Sequence, residues 1–231
     1  MSPGARAPSI VSDHYRISEI FLSLQGEGPS AGTPAHFVRL QGCDVGCHWC
    51  DSRYTWEFAG GRALDADGIW SEARALGAAP LIVLTGGEPL QHPGLGALLD
   101  GALAHWGRVE VETSGVEPPP RSHPRLAYNV SSKLPSATPR WGLTWRHVEA
   151  WKTEPRATFK LVVGDGPDLD DALRLIAEHA LPKERVMLMP EGLTDAVLRE
   201  RAIALAEACK RHGVRMSPRL HVWMWGARRG V

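Results

Sequence analysis

Residues 35–50 read AHFVRLQGCDVGCHWC, so an apolar run leads directly into three cysteines within eight residues. The apolar part contains aromatic and β-branched side chains and is followed by a polar, Gly-containing segment. This pattern predicts a strand over 35–40 and a loop after it. Cys43, Cys47 and Cys50 have the spacing C-x3-C-x2-C on that loop. Clustered cysteines at the end of a strand indicate metal or redox chemistry.

The order of a short apolar strand, a polar turn and a longer helical stretch recurs along the chain. The predicted strands are 35–40, 81–84, 108–112, 126–130, 158–163 and 185–189, and the predicted helices are 65–76, 95–106, 169–179 and 194–212. Strands that alternate with helices predict an α/β fold with a parallel sheet. About six parallel strands with helices outside predict an incomplete TIM-like barrel, in which the polar segments after the strands open onto one face.

The composition is that of one globular domain over residues 1–231. Lys and Arg number 26, as do Asp and Glu, so no net field attracts nucleic acid or an anionic membrane. The apolar runs are too short for a membrane span, and the N-terminus does not resemble a secretory signal, so we expect a cytoplasmic protein. Residues 1–14 are predicted to form a loose tail, and 118–124 and 134–155 to form loops or an insertion.

The spacing of the cysteines favours an iron–sulfur cluster. A cubane cluster normally takes four thiolates, one per iron, so three cysteines on one loop leave one iron open to another ligand. A zinc site is an alternative, but it needs a fourth ligand, and His48 is awkwardly placed for that role. Cys209 lies far away in a predicted helix and is interpreted as a core residue.

Two further features accompany the cysteines. Residues 85–89 read TGGEP directly after the predicted strand 81–84, and Trp49 immediately precedes the third cysteine. With the cysteine spacing, these residues resemble the radical S-adenosylmethionine superfamily. The resemblance implies a [4Fe–4S] cluster on the three cysteines and S-adenosylmethionine on the open iron. The residues it implies for S-adenosylmethionine are Trp49, Gly86, Gly87, Glu88, Thr113, Ser114, Ser131 and Lys133.

A closer resemblance covers residues 18–231. The segments SLQGEG at 23–28, FVRL at 37–40 ahead of Cys43, and SPRLH at 217–221 carry it, together with WG at 225–226 and RRGV at 228–231. These segments are similar to those of the 7-carboxy-7-deazaguanine synthase family. The resemblance implies a pterin substrate, 6-carboxy-5,6,7,8-tetrahydropterin, and a C-terminal tail over 214–231 that folds over the active site.

The same resemblance implies a substrate and metal site. The substrate-binding residues would be Leu24, Gln25, Glu27, Arg39, Thr85, His221 and Val231, with His221 also as the catalytic residue. A carboxylate such as Glu27 can accept from a guanine-like edge, and the planar fork of Arg39 suits a carboxylate. Ser52 would bind Mg2+ where the family more often has Thr, and Asp51 would orient water or the ribose.

The reaction that the resemblance implies is a carbon–nitrogen lyase reaction. A 5′-deoxyadenosyl radical takes hydrogen from the pterin, the ring contracts, and ammonia leaves. Flavodoxin or ferredoxin is expected as the electron donor, and a homodimer is expected, for which tryptophan-rich stretches would supply an exposed interface (Trp141, Trp145, Trp151, Trp223 and Trp225). Two alternatives stay open here: a glycyl-radical-activating enzyme, and a non-catalytic iron–sulfur or zinc protein.

Overall fold

The computed structural model describes residues 14–231. The predicted tail over 1–14 therefore lies, apart from His14, outside the described residues. The strands are β1 Tyr15–Leu24, β2 Pro34–Leu40, β3 Arg62–Leu64, β4 Leu81–Gly86, β5 Arg108–Thr113, β6 Leu126–Val130, β7 Ala157–Val163, β8 Val186–Pro190 and β9 Arg215–Met216. The α-helices are α1 Ala66–Ala75, α2 Leu95–His105, α3 Val148–Thr153, α4 Gly166–Glu178, α5 Asp195–His212 and α6 Leu220–Trp225.

The strands form one open sheet in the order β3-β1-β2-β4-β5-β6-β7-β8-β9. From β2 to β9 every neighbouring pair is parallel, whereas β1 is antiparallel to both β2 and β3. All six predicted strands are present, and their bounds differ from the predicted ones by at most two residues. The α/β fold with an incomplete, open TIM-like barrel is therefore confirmed.

The predicted number of strands was too low, because β1, β3 and β9 were missed. The apolar alternation of β1 is interrupted where the register to β2 shifts between Ile17 and Glu19. A bulge of this kind breaks the period of two on which strand prediction depends. The other two missed strands have three and two residues, too few for a recognisable pattern.

The four predicted helices are confirmed, with one shifted start. Helix α4 begins at Gly166, three residues before the predicted position, because the Asp165 side chain accepts from Asp168 N and caps it there. Helix α5 ends where predicted, at Gly213, which takes a left-handed conformation with φ 68°. No helix between residues 14 and 231 is long and apolar enough to cross a membrane.

The prediction for 134–155 was wrong, since this segment contains a 3-10 turn at Trp141–Trp145 and helix α3. Trp145 and Trp151 are not exposed interface residues; their exposed fractions are 4% and 1%. The Trp151 ring packs edge-on against Tyr128 at 5.0 Å in the apolar core. Because these two indoles cover the sheet, they belong to the core. An interface would have to be formed by other residues. Trp223 on α6 is exposed.

The two faces of the sheet differ in chemistry. On β5, Val109 and Val111 join the apolar core that includes residues of α1, α2, α4 and α5. Glu110 and Glu112 alternate with them and therefore face the opposite, inner side, as Lys160 does on β7. The inner face of the barrel thus carries buried charges, and these lie beneath the site described next.

Candidate active site

A cavity of about 340 Å³ opens at the carboxyl ends of the parallel strands. Its wall combines the loops after β1, β2, β4, β5 and β6 with the C-terminal residues. All the site residues named from the sequence line it: Leu24, Gln25, Glu27, Arg39, Cys43, Cys47, Trp49, Cys50, Ser52, Thr85, Gly86, Gly87, Glu88, Thr113, Ser114, Ser131, Lys133, His221 and Val231. One concave surface therefore gathers residues from Leu24 to Val231, close to the two ends of the described chain.

The cysteine loop forms one wall of this cavity. Cys47 is buried, while Cys43 and Cys50 are partly exposed to the cavity. Burial raises the pKa of the Cys43 thiol to about 11 and also raises that of Cys47. The fourth cysteine, Cys209, is buried in the apolar core on α5, as predicted. Three thiols without a fourth in the cavity are the donor set of a cubane cluster with one open iron.

The cysteine loop is held by hydrogen bonds from the segment after β6. Thr138 Oγ1 donates to Val45 O at 2.7 Å, and His48 N donates to Ala137 O at 2.8 Å. Among residues 14–231, no three His, Cys, Asp or Glu side chains converge on a point where one metal ion could sit. His48 itself is exposed. A structural zinc ion needs four ligands, and an exposed side chain such as that of His48 is poorly placed to be the fourth.

The glycines at 86 and 87 allow two loops to approach closely. A Cβ at Gly86, where φ is +146°, would lie 2.3 Å from Leu40 O, and one at Gly87 would lie 2.1 Å from Gly42 O. Gly87 N donates to Leu40 O at 3.0 Å across the same contact. The two glycines therefore fix the TGGEP loop against the backbone that leads into Cys43. The close approach of the protein's own backbone is enough to explain why both positions are glycine.

Glu88 is buried and joins the TGGEP loop to the end of β5. One carboxylate oxygen accepts from Leu90 N and Thr113 Oγ1, and the other accepts from the backbone N and Oγ of Ser114. Four protein donors satisfy this carboxylate. Its position beside the cavity agrees with the sequence prediction, but its contacts also give it a role in holding Thr113 and Ser114.

Lys133 lies close to the cysteine loop. Its Nζ donates to Ser131 Oγ at 3.1 Å and lies 5.8 Å from the centroid of the Trp49 ring. Its positive charge acts to lower the pKa of Cys47, although burial of that thiol has the larger effect. A cation, a hydroxyl and an aromatic face are thereby grouped around the thiols.

Glu27 is the centre of a second group of charges that lines the same cavity. Lys160 Nζ donates to its Oε2 at 2.5 Å, and Arg219 Nε donates to its Oε1 at 3.1 Å. Lys160 also donates to Glu112 Oε2 at 2.7 Å. These bonds join the loop after β1, the inner face of the sheet and the C-terminal segment around one carboxylate.

The electrostatics of this group favour an ionised Glu27. Burial alone would raise its pKa, but Lys160 and Arg219 hold the pKa well below its usual range. Burial would likewise lower the pKa of Lys160, but the carboxylates of Glu112 and Glu27 raise it. Burial raises the pKa of Glu112, and the Lys160 ammonium opposes that shift. An acceptor-only carboxylate is thus presented to the cavity at neutral pH.

The Gln25 side chain holds the loop that carries Glu27 against the inner face of the sheet. Its side-chain amide donates to Glu110 at 3.3 Å and to Glu112 at 3.1 Å, and its Oε1 accepts from Glu27 N at 3.2 Å. Both ends of the amide are therefore already bonded to protein groups. These contacts hold the loop, and the role of Gln25 as a substrate-binding residue stays a prediction.

The C-terminal segment packs directly on this loop. Leu220 N donates to Gly26 O at 2.9 Å, and a Cβ on Gly26 would lie 2.2 Å from His221 Nδ1. His221 Nε2 is 3.8 Å from Glu27 Oε1, and burial lowers the pKa of the His221 imidazole. His221 therefore faces the cavity as a largely neutral ring at pH 7.

Asp51 and Ser52 follow the third cysteine and face Arg219. Ser52 Oγ donates to Asp51 Oδ1 at 2.8 Å, and Arg219 Nη2 donates to Asp51 Oδ2 at 2.6 Å. Partial burial would raise the pKa of Asp51, but the Arg219 guanidinium lowers it. Asp51 is therefore an ion-pair partner of the C-terminal segment. Its role in orienting water or the ribose stays a prediction.

Arg39 points into the cavity from β2 and is anchored by Glu19. Arg39 Nε donates to Glu19 Oε1 at 2.7 Å, and Tyr54 OH donates to the same oxygen at 2.8 Å. The guanidinium of Arg229 lies 3.5 Å from the centroid of the Tyr54 ring and 3.6 Å from Glu19 Oε2. This contact holds the last residues, including Val231, along the rim of the cavity.

Several residues that build the site were missed from the sequence, namely Glu19, Tyr54, Glu112, Lys160 and Arg219. One signal was available for Glu112, since RVEVET places Glu110 and Glu112 on one face of a buried strand. The partners of Lys160 lie 48 and 133 residues away, so its sequence context alone could not pair it.

Comparison with known proteins gives a consistent result. The Radical SAM superfamily model matches residues 37–128, from β2 to β6. The 7-carboxy-7-deazaguanine synthase of Pyrobaculum aerophilum is 40% identical over 219 residues, which cover 93% of this chain and 96% of that protein. The Escherichia coli protein of the same name is 33% identical and covers 91% of this chain and 98% of its own length. The crystal structure of QueE from Escherichia coli superimposes with a TM-score of 0.68 at 30% identity, covering 88% of this chain and 93% of that one.

Proposed function

Because this chain belongs to the 7-carboxy-7-deazaguanine synthase family of radical S-adenosylmethionine enzymes, we propose that its cavity holds cofactor and substrate at opposite ends. The enzyme is a carbon–nitrogen lyase that converts 6-carboxy-5,6,7,8-tetrahydropterin to 7-carboxy-7-deazaguanine with loss of ammonia, in queuosine and deazapurine biosynthesis. The observation that carries the proposal is that two groups of polar and charged side chains line one cavity: Lys133 and Ser131 beside the cysteine loop, and Lys160 and Arg219 around Glu27.

The cofactor end is the wall around the three thiols. Cys43, Cys47 and Cys50 would hold the [4Fe–4S] cluster, whose open iron would receive S-adenosylmethionine; together they supply the one-electron chemistry that starts the reaction. Lys133 and Ser131 offer donors to a carboxylate, and the Trp49 ring offers an apolar face. Residues assigned to S-adenosylmethionine are Trp49, Gly86, Gly87, Glu88, Thr113, Ser114, Ser131 and Lys133.

The substrate end is the group around Glu27. An ionised Glu27 would accept from the 2-amino group and ring N–H of the pterin, and His221 beside it would donate or carry a proton. Arg39, held by Glu19 through Nε, has its other nitrogens left for the substrate carboxylate. Leu24, Thr85 and Val231 complete the enclosure. Placement of the pterin edge on a buried carboxylate keeps the reacting ring away from bulk water.

Mg2+ would be bound beside the cluster by Ser52. Its hydroxyl and the adjoining Asp51 carboxylate are oxygen donors, which a hard cation prefers. One Asp51 oxygen is already bound to Arg219, so few protein ligands are available there. This agrees with the coordination of Mg2+, which keeps several water or substrate oxygens.

The partners beyond the substrate are also proposals. The cluster needs a one-electron donor such as flavodoxin or ferredoxin. A homodimer would use exposed apolar side chains, of which Trp223 and Met224 on α6 are two. A cytoplasmic location stays a prediction. The family membership removes the support for a glycyl-radical-activating enzyme and for a non-catalytic iron–sulfur protein.

Two variants test the division of the cavity. Glu27→Gln should raise KM for the pterin about tenfold or more while the Kd for S-adenosylmethionine stays unchanged. Lys133→Met should weaken S-adenosylmethionine binding and leave the pterin KM unchanged, with the cluster absorbance checked in each protein. Lys152→Met, a surface lysine paired with Glu149, is the matched control. If both variants alter both ligands equally, the proposed division is wrong.

A further inference from the structure

We infer that Lys160 is a positioning residue for the substrate, one that acts through Glu27 by fixing the orientation and charge of that carboxylate. This inference rests on the proposed substrate end of the cavity. Lys160 lies on the inner face of β7, and its side chain is 3% exposed. A lysine this buried is rare unless it is paired, so its partners define its role.

The ammonium of Lys160 bridges two carboxylates from different parts of the fold. It donates to Glu27 Oε2 at 2.5 Å and to Glu112 Oε2 at 2.7 Å. Glu112 is itself fixed, because its Oε1 accepts from Asn129 Nδ2 at 2.9 Å and from Gln25 Nε2 at 3.1 Å. Lys160 thus ties a carboxylate on a loop to a strand residue whose position is set by the sheet.

Lys160 is one of the two permanently charged cations that pair with Glu27. From the sheet come Glu110, Glu112 and Lys160; from the C-terminal segment come Arg219 and His221; and Asp51 adds its charge from the cluster loop. In the innermost part of this group, Glu27 and Glu112 are matched by Lys160 and Arg219. Loss of Lys160 would leave one buried negative charge without compensation, which is strongly unfavourable.

The consequence for binding follows from what Glu27 has to do. A carboxylate that accepts from a ring N–H and an amino group must be ionised and must keep its plane aligned with the ligand. Without Lys160, the cost of burying the Glu27 charge would be lowered in one of two ways. The carboxylate would take up a proton, or its side chain would turn toward solvent. Either change removes an acceptor from the site. The ligand class that depends on this acceptor is a ring with an amino group next to a ring N–H, as in a pterin.

The test compares the wild-type holoenzyme with Lys160→Met, which keeps the length of the side chain and removes the charge. We expect KM for the pterin to rise about tenfold or more, with a smaller change in kcat and an unchanged Kd for S-adenosylmethionine. The increase in KM should be larger at pH 6 than at pH 8.5, because Glu27 in the variant regains its negative charge as the pH rises. Lys210→Met, a change at an exposed lysine on α5, is the matched control.

A second variant separates positioning from simple packing. Lys160→Met combined with Glu112→Gln removes one charge of each sign and leaves Glu27 paired with Arg219. We expect the KM of this double variant to return most of the way from the raised value of the single variant to the wild-type value. A packing role would give no recovery, because Glu112→Gln restores no volume. The double variant also keeps the test valid if the single variant does not fold.

Different results would overturn the positioning role of Lys160 and the proposed function. If wild-type enzyme forms 7-carboxy-7-deazaguanine and Lys160→Met keeps the wild-type KM at both pH values, the inference is overturned. The inference is also overturned if the double variant is no better than the single one. If the wild-type enzyme forms no such product, the proposed substrate end itself fails.

Discussion

Arg219 and Asp51 lie 168 residues apart in the sequence and form an ion pair, with Nη2 of Arg219 donating to Oδ2 of Asp51 at 2.6 Å. The same guanidinium donates to Glu27 at 3.1 Å and to Gly192 O at 2.7 Å. One side chain from the C-terminal segment therefore joins the cluster loop, the substrate loop and the turn after β8. Arg219 therefore fixes the substrate loop and the cluster loop relative to each other.

Arg219→Met should destabilise the protein and inactivate it. Removing Arg219 from a largely buried group of charges leaves Asp51 unpaired and Glu27 with Lys160 alone, so we expect a loss of about 3 kcal/mol in the free energy of unfolding. Urea unfolding followed by circular dichroism measures this loss. Arg174→Met, in an exposed pair on α4, should change the stability by less than about 1 kcal/mol. Equal effects of the two variants would contradict the assignment.

Gly26→Ala tests the contact between the substrate loop and the C-terminal segment. A Cβ there would lie 2.2 Å from His221 Nδ1 and 3.1 Å from His221 N, so the segment has to move. We expect turnover to fall about tenfold or more, since small displacements of binding groups are costly. The control is Gly107→Ala, where an added Cβ has nothing within 4 Å. Unchanged turnover in Gly26→Ala would show that the segment is not needed where it lies.

Glu88→Gln should weaken both folding and cofactor binding. The amide NH2 would face groups that donate to the carboxylate at present, such as Ser114 N at 2.7 Å. An unsatisfied buried donor costs about 1–3 kcal/mol, so the free energy of unfolding should fall by that amount. The Kd for S-adenosylmethionine should rise as Thr113 and Ser114 shift. A variant with wild-type stability and affinity would contradict the role of Glu88 as a link between the loops.

The pH dependence of stability should include a contribution from His36. Its Nδ1 accepts from Trp106 Nε1 at 3.0 Å, so Nε2 carries the proton and donates to Gly77 O at 3.0 Å. Burial lowers the pKa of His36 in the folded state below the unfolded value of about 6.5. The unfolded chain therefore binds more protons below that pH, and stability should fall as the pH drops from about 6.5 toward the folded pKa.

The measurement for His36 is the free energy of unfolding from pH 7.5 to pH 5.5. Burial lowers the pKa of His92 and His221 as well, so all three residues contribute to the slope. Each can add at most about 1.4 kcal/mol per pH unit. His36→Gln should reduce the slope of the free energy of unfolding against pH by the contribution of one histidine. An identical slope in the variant would mean that His36 does not titrate with folding.

The parallel part of the fold was predictable from local sequence. Each of the six strands from β2 to β8, excluding β3, is a short apolar run with a turn behind it, and such runs need no knowledge of their partners. Strand β1 was not predicted, because the register shift after Ile17 breaks its alternation of apolar and polar residues. The segment around Trp145 and Trp151 failed for another reason. Its prolines indicated a loop, while its indoles are ordered by packing against the sheet.

The site was predictable where motifs carry it and not where distant charges build it. The cysteines, the TGGEP run and the SLQGEG segment each contain their own signal, and all their predicted residues reach the cavity. Lys160 lies in no motif, and Arg219 lies in the SPRLH segment but was not assigned to the site from it. They become site residues because the fold brings them to Glu27, from 133 and 192 residues away. Pairings of this kind depend on tertiary structure.

The central claim is that this one cavity carries out the lyase reaction, and product formation tests it most directly. The protein would be reconstituted anaerobically with iron and sulfide, then supplied with dithionite, Mg2+, S-adenosylmethionine and 6-carboxy-5,6,7,8-tetrahydropterin. We predict that mass spectrometry detects 7-carboxy-7-deazaguanine with an equivalent of ammonia, and that Glu27→Ala abolishes both. Release of 5′-deoxyadenosine without any deazapurine, by enzyme with an intact cluster, would contradict the account.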